Sequence, residues 1–154
     1  ELAHLRRSIL QTTRAIRTLA HTKVYAGNVA YLTSIAGISI LVAMILLTEI
    51  ITLDRFGSLD HLACFVALVP GEASSGEERT MTGITERKNR YLRWILIESA
   101  WVAIRNDESL ALAFNSLSRR MPKNQAIVRI ARKLLNRVRF VLKHQQPCVV
   151  LRAA

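Results

Sequence analysis

The last third of the chain carries one strongly periodic segment, and its period is that of an α-helix. At about 100° per residue, the apolar residues between Gln125 and Lys143 fall on one side. They are Ile127, Ile130, Ala131, Leu134, Val138 and Val141. Basic residues gather on the opposite side, namely Arg129, Arg132, Lys133, Arg137, Arg139 and Lys143. The segment therefore predicts an amphipathic helix with one buried face and one basic face.

The other patterned segments also predict helices, so the expected fold class is all-α. Apolar residues recur at helical spacing in most of these segments. The predicted helices run over residues 2–19, 29–34, 39–50, 59–68, 89–105 and 108–117. The residues between Pro70 and Gly83 are mostly small or polar and predict a long loop, of the length that functional loops have. No internal repeat is visible.

The helix predicted over residues 89–105 is apolar almost all round, which is typical of a central, buried helix. Trp94 and Trp101 lie seven residues apart on one face, and we interpret both as core residues. Glu98 follows Trp94 by four residues on the same face. We expect its carboxylate to pair with a nearby arginine inside the domain.

Composition and charge narrow the classes of protein and of partner. Half of the residues are hydrophobic (51%), which excludes a disordered chain. The 22 Lys and Arg against 11 Asp and Glu leave a net charge of +11, which indicates a polyanionic partner. The residues from Ser109 to the end contain ten Lys or Arg and no acid. The basic helix face is thus either a solvated surface or a strip that binds phosphate backbone, and we favour the strip because solvated faces usually mix both signs.

Residues 28–48 lack any charge and leave a second hypothesis open, that of a membrane-associated basic helical protein with one spanning segment. Gly37 and the small polar residues around it favour instead a turn between two shorter helices.

The two cysteines, Cys64 and Cys148, indicate neither a disulfide framework nor a metal site, and this fits a cytoplasmic location. The four histidines have no ligand spacing, so we expect no metal site.

The turn around Gly37 has a possible role in binding phosphate. A helix, a tight glycine link and a second helix would present free backbone N–H groups at the start of the second helix. The run from Ser34 to Ser39 resembles the Pro-Gly-Ile-Gly version of a helix-hairpin-helix, with Ala36 and Ser39 replacing the usual proline and second glycine. A glycine that merely ends a helix is an equal alternative.

Several separated motifs occur in one order that is similar to a known family. They are Leu68-Val69-Pro70, Ser74-Ser75-Gly76, Gly83-Ile84-Thr85, Arg87, Asn89, Tyr91-Leu92-Arg93 and the run Ile130 to Leu135. This order resembles the C-terminal transposase domain of the bridge-RNA-guided insertion-sequence transposases. The resemblance covers residues 33–143.

The resemblance implies a domain organisation and a set of partners. Residues 1–25 would be the end of a coiled-coil arm, residues 26–146 the transposase domain with a helix-hairpin-helix-like segment at 29–50, and residues 147–154 a tail. The family implies DNA and a guide RNA as partners, a homo-oligomer in the full-length protein, and no membrane. It also implies Mg²⁺ held by an acidic tetrad in a preceding resolvase-like domain.

The resemblance also assigns a nucleophile. The family's serine before the loop glycine matches Ser75, with Ser74 as the fallback, and its hydroxyl would attack a DNA phosphodiester. Four arginines could position phosphate oxygens or could equally be plain solvated side chains: Arg79, Arg87, Arg90 and Arg93. Glu86 and Lys88 depart from the family pattern, in which a basic residue and a glycine are common at these positions.

The acids of this chain are scattered and form no cluster like the acidic tetrad. We therefore expect no cofactor bound by this chain, and expect the polypeptide alone to bind nucleic acid without recombining it. A non-catalytic nucleic-acid-binding remnant of a transposase is the remaining alternative. Replacing Ser75 would have no effect in such a remnant.

Overall fold

The structure is a computed structural model that describes residues 1–69 and 89–148. Within these residues the chain forms seven α-helices, one 3-10 turn and no strand, which confirms the predicted all-α class. The helices are α1 (Leu2–Ala20), α2 (Ala26–Thr33), α3 (Ile40–Ile50), α4 (Leu59–Phe65), α5 (Arg90–Asn106), α6 (Glu108–Ser118) and α7 (Lys123–His144). The 3-10 turn, Leu53–Arg55, lies between α3 and α4.

Polar residues just before the helices fix where four of them begin. In each case a side-chain oxygen accepts a hydrogen bond from a backbone N–H of the first turn, which would otherwise lack a partner. The capping residues are Ser39 for α3, Ser58 for α4, Asn89 for α5 and Asp107 for α6. The predicted boundaries agree with these starts to within a residue. The predicted fourth helix, 59–68, ends earlier, at Phe65.

Helix α7 lies at the centre of the domain and packs against α2, α4, α5 and α6. All six of its predicted apolar residues are buried, together with Ala126 and Leu135. Helix α5 contributes the facing layer through Leu92, Leu96 and Ala100. Burial of one apolar face per helix supplies the main driving force for this packing.

The uncharged residues 28–48 do not form one straight rod. They fall in α2 and α3, which are separated by a turn at Gly37, so the hypothesis of a single spanning helix over these residues is wrong. The small polar residues around Gly37 end one helix and cap the next, as Ser39 does. None of the helices that the structure describes is long and apolar enough to cross a membrane.

Helix α1 differs from the others because most of its length is exposed. Residues 1–12 are all exposed, including Leu5 and Ile9 at 60% and 65%. The end of the helix reaches the core at Ala20, which is fully buried, and the helix contacts α3. The basic, amphipathic sequence of residues 2–19 therefore forms a helix that is anchored at its C-terminal end. The proposed limits of the arm and the domain, at residues 25 and 146, stay predictions.

Candidate nucleic-acid interface

The basic face of α7 points outward because the opposite face of the helix is buried. Because eight residues of the helix are packed into the core, the residues between them must point outward. Arg129 and Lys133 are exposed, one turn apart and about 6 Å along the axis. Arg139 is half-buried. We call the exposed set the outer face of α7: Arg129, Lys133, Asn136, Phe140 and Lys143.

Arg132 also lies on α7, but its guanidinium is occupied within the domain. Its Nη2 donates to Oδ1 of Asp60 in the first turn of α4. The side chains are 32% and 74% exposed, so this ion pair is open to solvent and contributes little to stability. It nevertheless neutralises one of the predicted phosphate-binding cations.

Arg137 is held more firmly. Its Nη1 lies 2.5 Å from Oδ2 of Asp107, whose side chain is fully buried, and its Nη2 donates to Oγ of Ser109 at 2.8 Å. Ser109 donates in turn to Oδ1 of Asp107 at 2.6 Å, and the backbone N–H of Leu110 donates to the same oxygen at 3.0 Å. This network joins the start of α6 to α7 and makes Arg137 a structural residue in the isolated chain.

The electrostatics of Asp107 follow from these partners. Burial alone would raise the pKa of its carboxyl. The hydrogen bonds from Arg137, Ser109 and Leu110, together with the positive charge of Arg137, outweigh burial and lower the pKa below its ordinary value. Asp107 is therefore ionised at neutral pH and balances Arg137.

Two acids from outside the C-terminal stretch thus compensate two of its cations. The residues after Glu108 contain no acid, yet Asp60 and Asp107 reach Arg132 and Arg137 through tertiary contacts. The absence of acids from this stretch of sequence therefore does not leave these two side chains unpaired. A count of charges along the sequence cannot detect such pairs.

Two helices, α2 and α3, flank a turn at Gly37 as expected, and the structure supplies a packing reason for this glycine. Gly37 has φ +87°, a conformation that L side chains rarely adopt. A Cβ at this position would collide with the carbonyl oxygen of Ser99 and lie 3.0 Å from Cβ of Ala103, both on α5. Ser39 is exposed and accepts the N–H of Val42. Close packing on α5 therefore explains Gly37 without a phosphate.

The two arginines predicted near the start of α5 differ in their surroundings. Arg90 is exposed at the first residue of the helix. Arg93 is half-buried, and its Nη1 donates to the carbonyl oxygen of Ala67, which follows α4. Arg93 thus ties α5 to the end of α4, whereas Arg90 is open to a ligand. Four further site predictions lie outside the described residues: Ser74, Ser75, Arg79 and Arg87.

The described residues offer no ligand set for Mg²⁺. Across residues 1–69 and 89–148, no group of three or more His, Cys, Asp or Glu side chains could hold a metal ion. Asp60 and Asp107 each face an arginine instead. The described part of this chain therefore does not fit the family's metal site.

Comparison with known proteins identifies the family of this chain. The chain matches the model of the transposase IS116/IS110/IS902 family over residues 29–115, more than half of its length. The chain belongs to this transposase family. The match begins within α2 and ends within α6, so α7 lies beyond it.

Two curated relatives are similar to this transposase chain. The protein named "Putative transposase y4qE" from Sinorhizobium fredii (strain NBRC 101917 / NGR234) is 37% identical over 76 residues, which is 49% of this chain and 20% of that protein. The "Transposase for insertion sequence element IS1111A" from Coxiella burnetii (strain RSA 493 / Nine Mile phase I) is 31% identical over 104 residues, or 65% of this chain and 29% of that protein. The chain thus spans less than a third of either relative. No solved structure matches it.

The sequence did not predict the most prominent aromatic feature of the transposase chain. Trp94 is 57% exposed, so its interpretation as a core residue is wrong. Trp101 is half-buried because it packs edge-on against Phe114 of α6, with ring centroids 5.4 Å apart. Trp94 instead stacks on Tyr91, itself 54% exposed, with centroids 6.0 Å apart. The pairing of aromatic residues one helical turn apart is the signal that could have found this pair.

Glu98 lies on the same exposed side of α5. Among the described residues, the ion pairs involve Asp60 and Asp107, and none joins Glu98 to an arginine as expected. Tyr91, Trp94 and Glu98 all line an open groove between the start of α3 and α5.

Proposed function

We propose that this chain is the nucleic-acid-binding C-terminal domain of a DNA transposase, acting in the cytoplasm on DNA with a guide RNA as second partner. The observation that carries the proposal is the outer face of α7, where Arg129 and Lys133 are exposed in a chain with a net charge of +11. Exposed cations attract a phosphate backbone and release its counterions. Membership of a transposase family makes DNA the natural polyanion.

The proposed contacts are sequence-independent. Arg129 and Lys133, one turn apart, would touch neighbouring phosphates, and Arg139 and Lys143 would extend the track toward the end of α7. Phosphate contacts of this kind position a strand without reading its bases. Sequence choice would then come from the guide RNA rather than from this surface.

The test compares duplex DNA binding across a range of salt concentrations. The double variant Arg129→Gln/Lys133→Gln is expected to lower the slope of log affinity against log salt by about 2, one unit for each lost phosphate contact. Arg6→Gln/Arg7→Gln removes the same charge from exposed positions on α1 and is the matched control. Equal losses in both double variants would mean that net charge, and not the outer face of α7, governs binding.

The catalytic part of the proposal concerns Ser75, with Ser74 as the fallback. The serine hydroxyl oxygen would attack phosphorus while its proton passes to a base, and the deoxyribose oxygen would leave and take up a proton from a general acid or water to become a free hydroxyl. The new serine–phosphate bond replaces the broken deoxyribose–phosphate bond, so the intermediate is still a phosphodiester and a hydroxyl of another strand can later displace the serine. We propose that an acidic resolvase-like domain outside the described residues, in a homo-oligomer, completes this site.

The catalytic proposal is tested by trapping a covalent protein–DNA adduct. The chain alone is expected to bind DNA without strand exchange, and adduct formation is expected when an acidic resolvase-like domain of the family is supplied with Mg²⁺. Ser75→Ala should abolish the adduct, whereas Ser74→Ala should preserve it. An adduct that survives Ser75→Ala but not Ser74→Ala would assign the fallback. Binding without any adduct would identify a non-catalytic remnant.

A further inference from the structure

An open groove separates the first turn of α3 from the exposed side of α5. Its volume is about 540 Å³, within the range of small-molecule sites. The lining includes Ser39, Val42 and Ile45 from the α3 side and Tyr91, Trp94 and Glu98 from α5. Most of this lining is apolar, and two of its largest side chains are more than half exposed. An exposed apolar concavity of this kind is typical of a binding site.

The two rings stack on each other within α5. Tyr91 and Trp94 lie one helical turn apart, and their ring planes are inclined at 28°. Their helix is fixed from below by Ile95 and Leu92, which are buried. A preformed aromatic stack can be extended by one more flat ring at little entropic cost, and a nucleobase offers such a ring.

The groups around the two rings and the cost of unstacking both favour an unpaired base over a base in a duplex. Among the described residues that line the groove, Glu98 alone is charged, and a carboxylate accepts hydrogen bonds from the exocyclic amino group of cytosine. Stacking on Trp94 requires that the base leave its own stack, which costs least in a single strand. Arg90, exposed one turn before Trp94, can bind the attached phosphate.

We propose that this groove binds one unpaired nucleobase of a single-stranded DNA or RNA segment, stacked on Trp94 and hydrogen-bonded to Glu98. The inference rests on the proposed nucleic-acid function but uses a different surface, because the outer face of α7 binds backbone and the groove binds a base. Among the pyrimidines, the groove should prefer cytosine, which carries an amino group, over thymine.

The chain contains two tryptophans, which allows a direct optical test. In a Trp101→Phe variant, Trp94 is the sole tryptophan, and its fluorescence should be quenched by oligo(dC) and oligo(rC) more than by oligo(dT) or duplex DNA. The DNA and RNA oligomers show which single strand binds better. Glu98→Gln should remove the difference between oligo(dC) and oligo(dT).

Affinity measured by anisotropy of labelled oligomers does not depend on Trp101 and provides the second readout. Trp94→Ala should weaken single-strand binding by about tenfold, with an unchanged salt slope and unchanged duplex affinity. Trp94→Phe should restore part of the loss because a ring remains. Leu112→Ala, which removes another exposed apolar side chain, on α6, is the matched control and should have no effect.

Three results would overturn the assignment. One is wild-type affinity of Trp94→Ala for single strands while duplex binding persists, which leaves the proposed function standing and rejects the groove. Another is Trp94 quenching that depends on protein concentration without nucleic acid, since a second copy of the chain would then occupy the groove. The third is absence of binding to every oligomer, which rejects the proposed function as well.

Discussion

Helices α5 and α7 pack against each other and each buries an apolar face, yet their exposed faces differ. Helix α7 buries every apolar residue of one face and exposes mainly polar and basic residues on the other, with Phe140 as the exception. Helix α5 buries one apolar face and exposes aromatic and aliphatic residues on the other, including Tyr91, Trp94 and Val102.

The contrast has a structural cause. Helix α7 lies at the centre and touches four other helices, so its buried face is covered along its whole length. Helix α6 covers α5 at Trp101 through Phe114, whereas no described helix covers Trp94 on that side. In a helix that is apolar almost all round, the residues that stay exposed are therefore those that no neighbouring helix covers.

The largest expected effect is on the free energy of unfolding, and it should differ between a substitution on α7 and one on α5. Leu134→Ala removes a fully buried side chain from α7 and should lower the free energy of unfolding by about 4 kcal/mol. Trp94→Ala, at an exposed position on α5, should lower it by less than about 1 kcal/mol. Urea unfolding followed by circular dichroism measures both. A loss at Trp94 as large as that at Leu134 would show that the ring is buried after all.

The contact between α5 and the Gly37 turn should be almost as sensitive. Gly37→Ala combines an unfavourable φ of +87° with a collision against α5, and we expect a loss of about 3 kcal/mol. Gly27→Ala is the matched control, because nothing lies within 4 Å of its Cβ and alanine favours the helix α2. It should raise stability by about 0.5 kcal/mol. Equal effects of the two substitutions would contradict the close packing at Gly37.

The sequence predicts the helices of this fold because each is marked locally. The period of α7, the caps at Ser58 and Asp107 and the break near Gly37 are all properties of neighbouring residues. The helix boundaries agree with the prediction wherever such a cap or turn is present. The early end of α4 at Phe65 is an exception, and there the predicted boundary depended on the distant Pro70.

The candidate site could be predicted only in part, since it depends on contacts between distant residues. The outer face of α7 follows from its period, and Arg129 and Lys133 are exposed as expected. The pairing of Arg132 with Asp60 spans 72 residues and that of Arg137 with Asp107 spans 30, so no local pattern could reveal them. The exposure of Trp94 likewise depends on which helix lies above it.

The hydrogen-bond network of Asp107 and Arg137, which joins α6 to α7, should have a pH-dependent effect of intermediate size on stability. Asp107→Asn keeps the helix cap but removes the charge that balances Arg137, and we expect a loss of about 2 kcal/mol at neutral pH. Because the pKa of Asp107 is lower in the folded state than its ordinary value of 3.8, its contribution is present above that value. It is lost as the pH falls through the still lower folded pKa.

The measurement is the stability of the wild type and of Asp107→Asn between neutral pH and the acid range. The two curves should converge as the pH falls below about 4, since protonation removes the charge from the wild type as well. Glu108→Gln changes an exposed acid next to Asp107 and should leave the shape of the curve unaltered. Parallel curves for the wild type and Asp107→Asn would contradict the role of the charge.

The smallest expected effect concerns the exposed pair between α7 and α4, and it links the outer face of α7 to the proposed function. Asp60→Asn should change stability by less than about 1 kcal/mol, because the pair is open to solvent. It frees Arg132 to contact phosphate, so duplex DNA should bind about threefold more tightly at low salt, with the salt slope steeper by about 0.9.

The double variant Asp60→Asn/Arg132→Gln decides whether Arg132 causes that gain. If the freed guanidinium binds phosphate, the second substitution should return the salt slope to the wild-type value. If the gain persists without Arg132, it comes from the removal of a negative charge near the strand. In that case the outer face of α7 attracts DNA through its overall field, and α7 would differ from α5, whose groove is proposed to bind through individual residues.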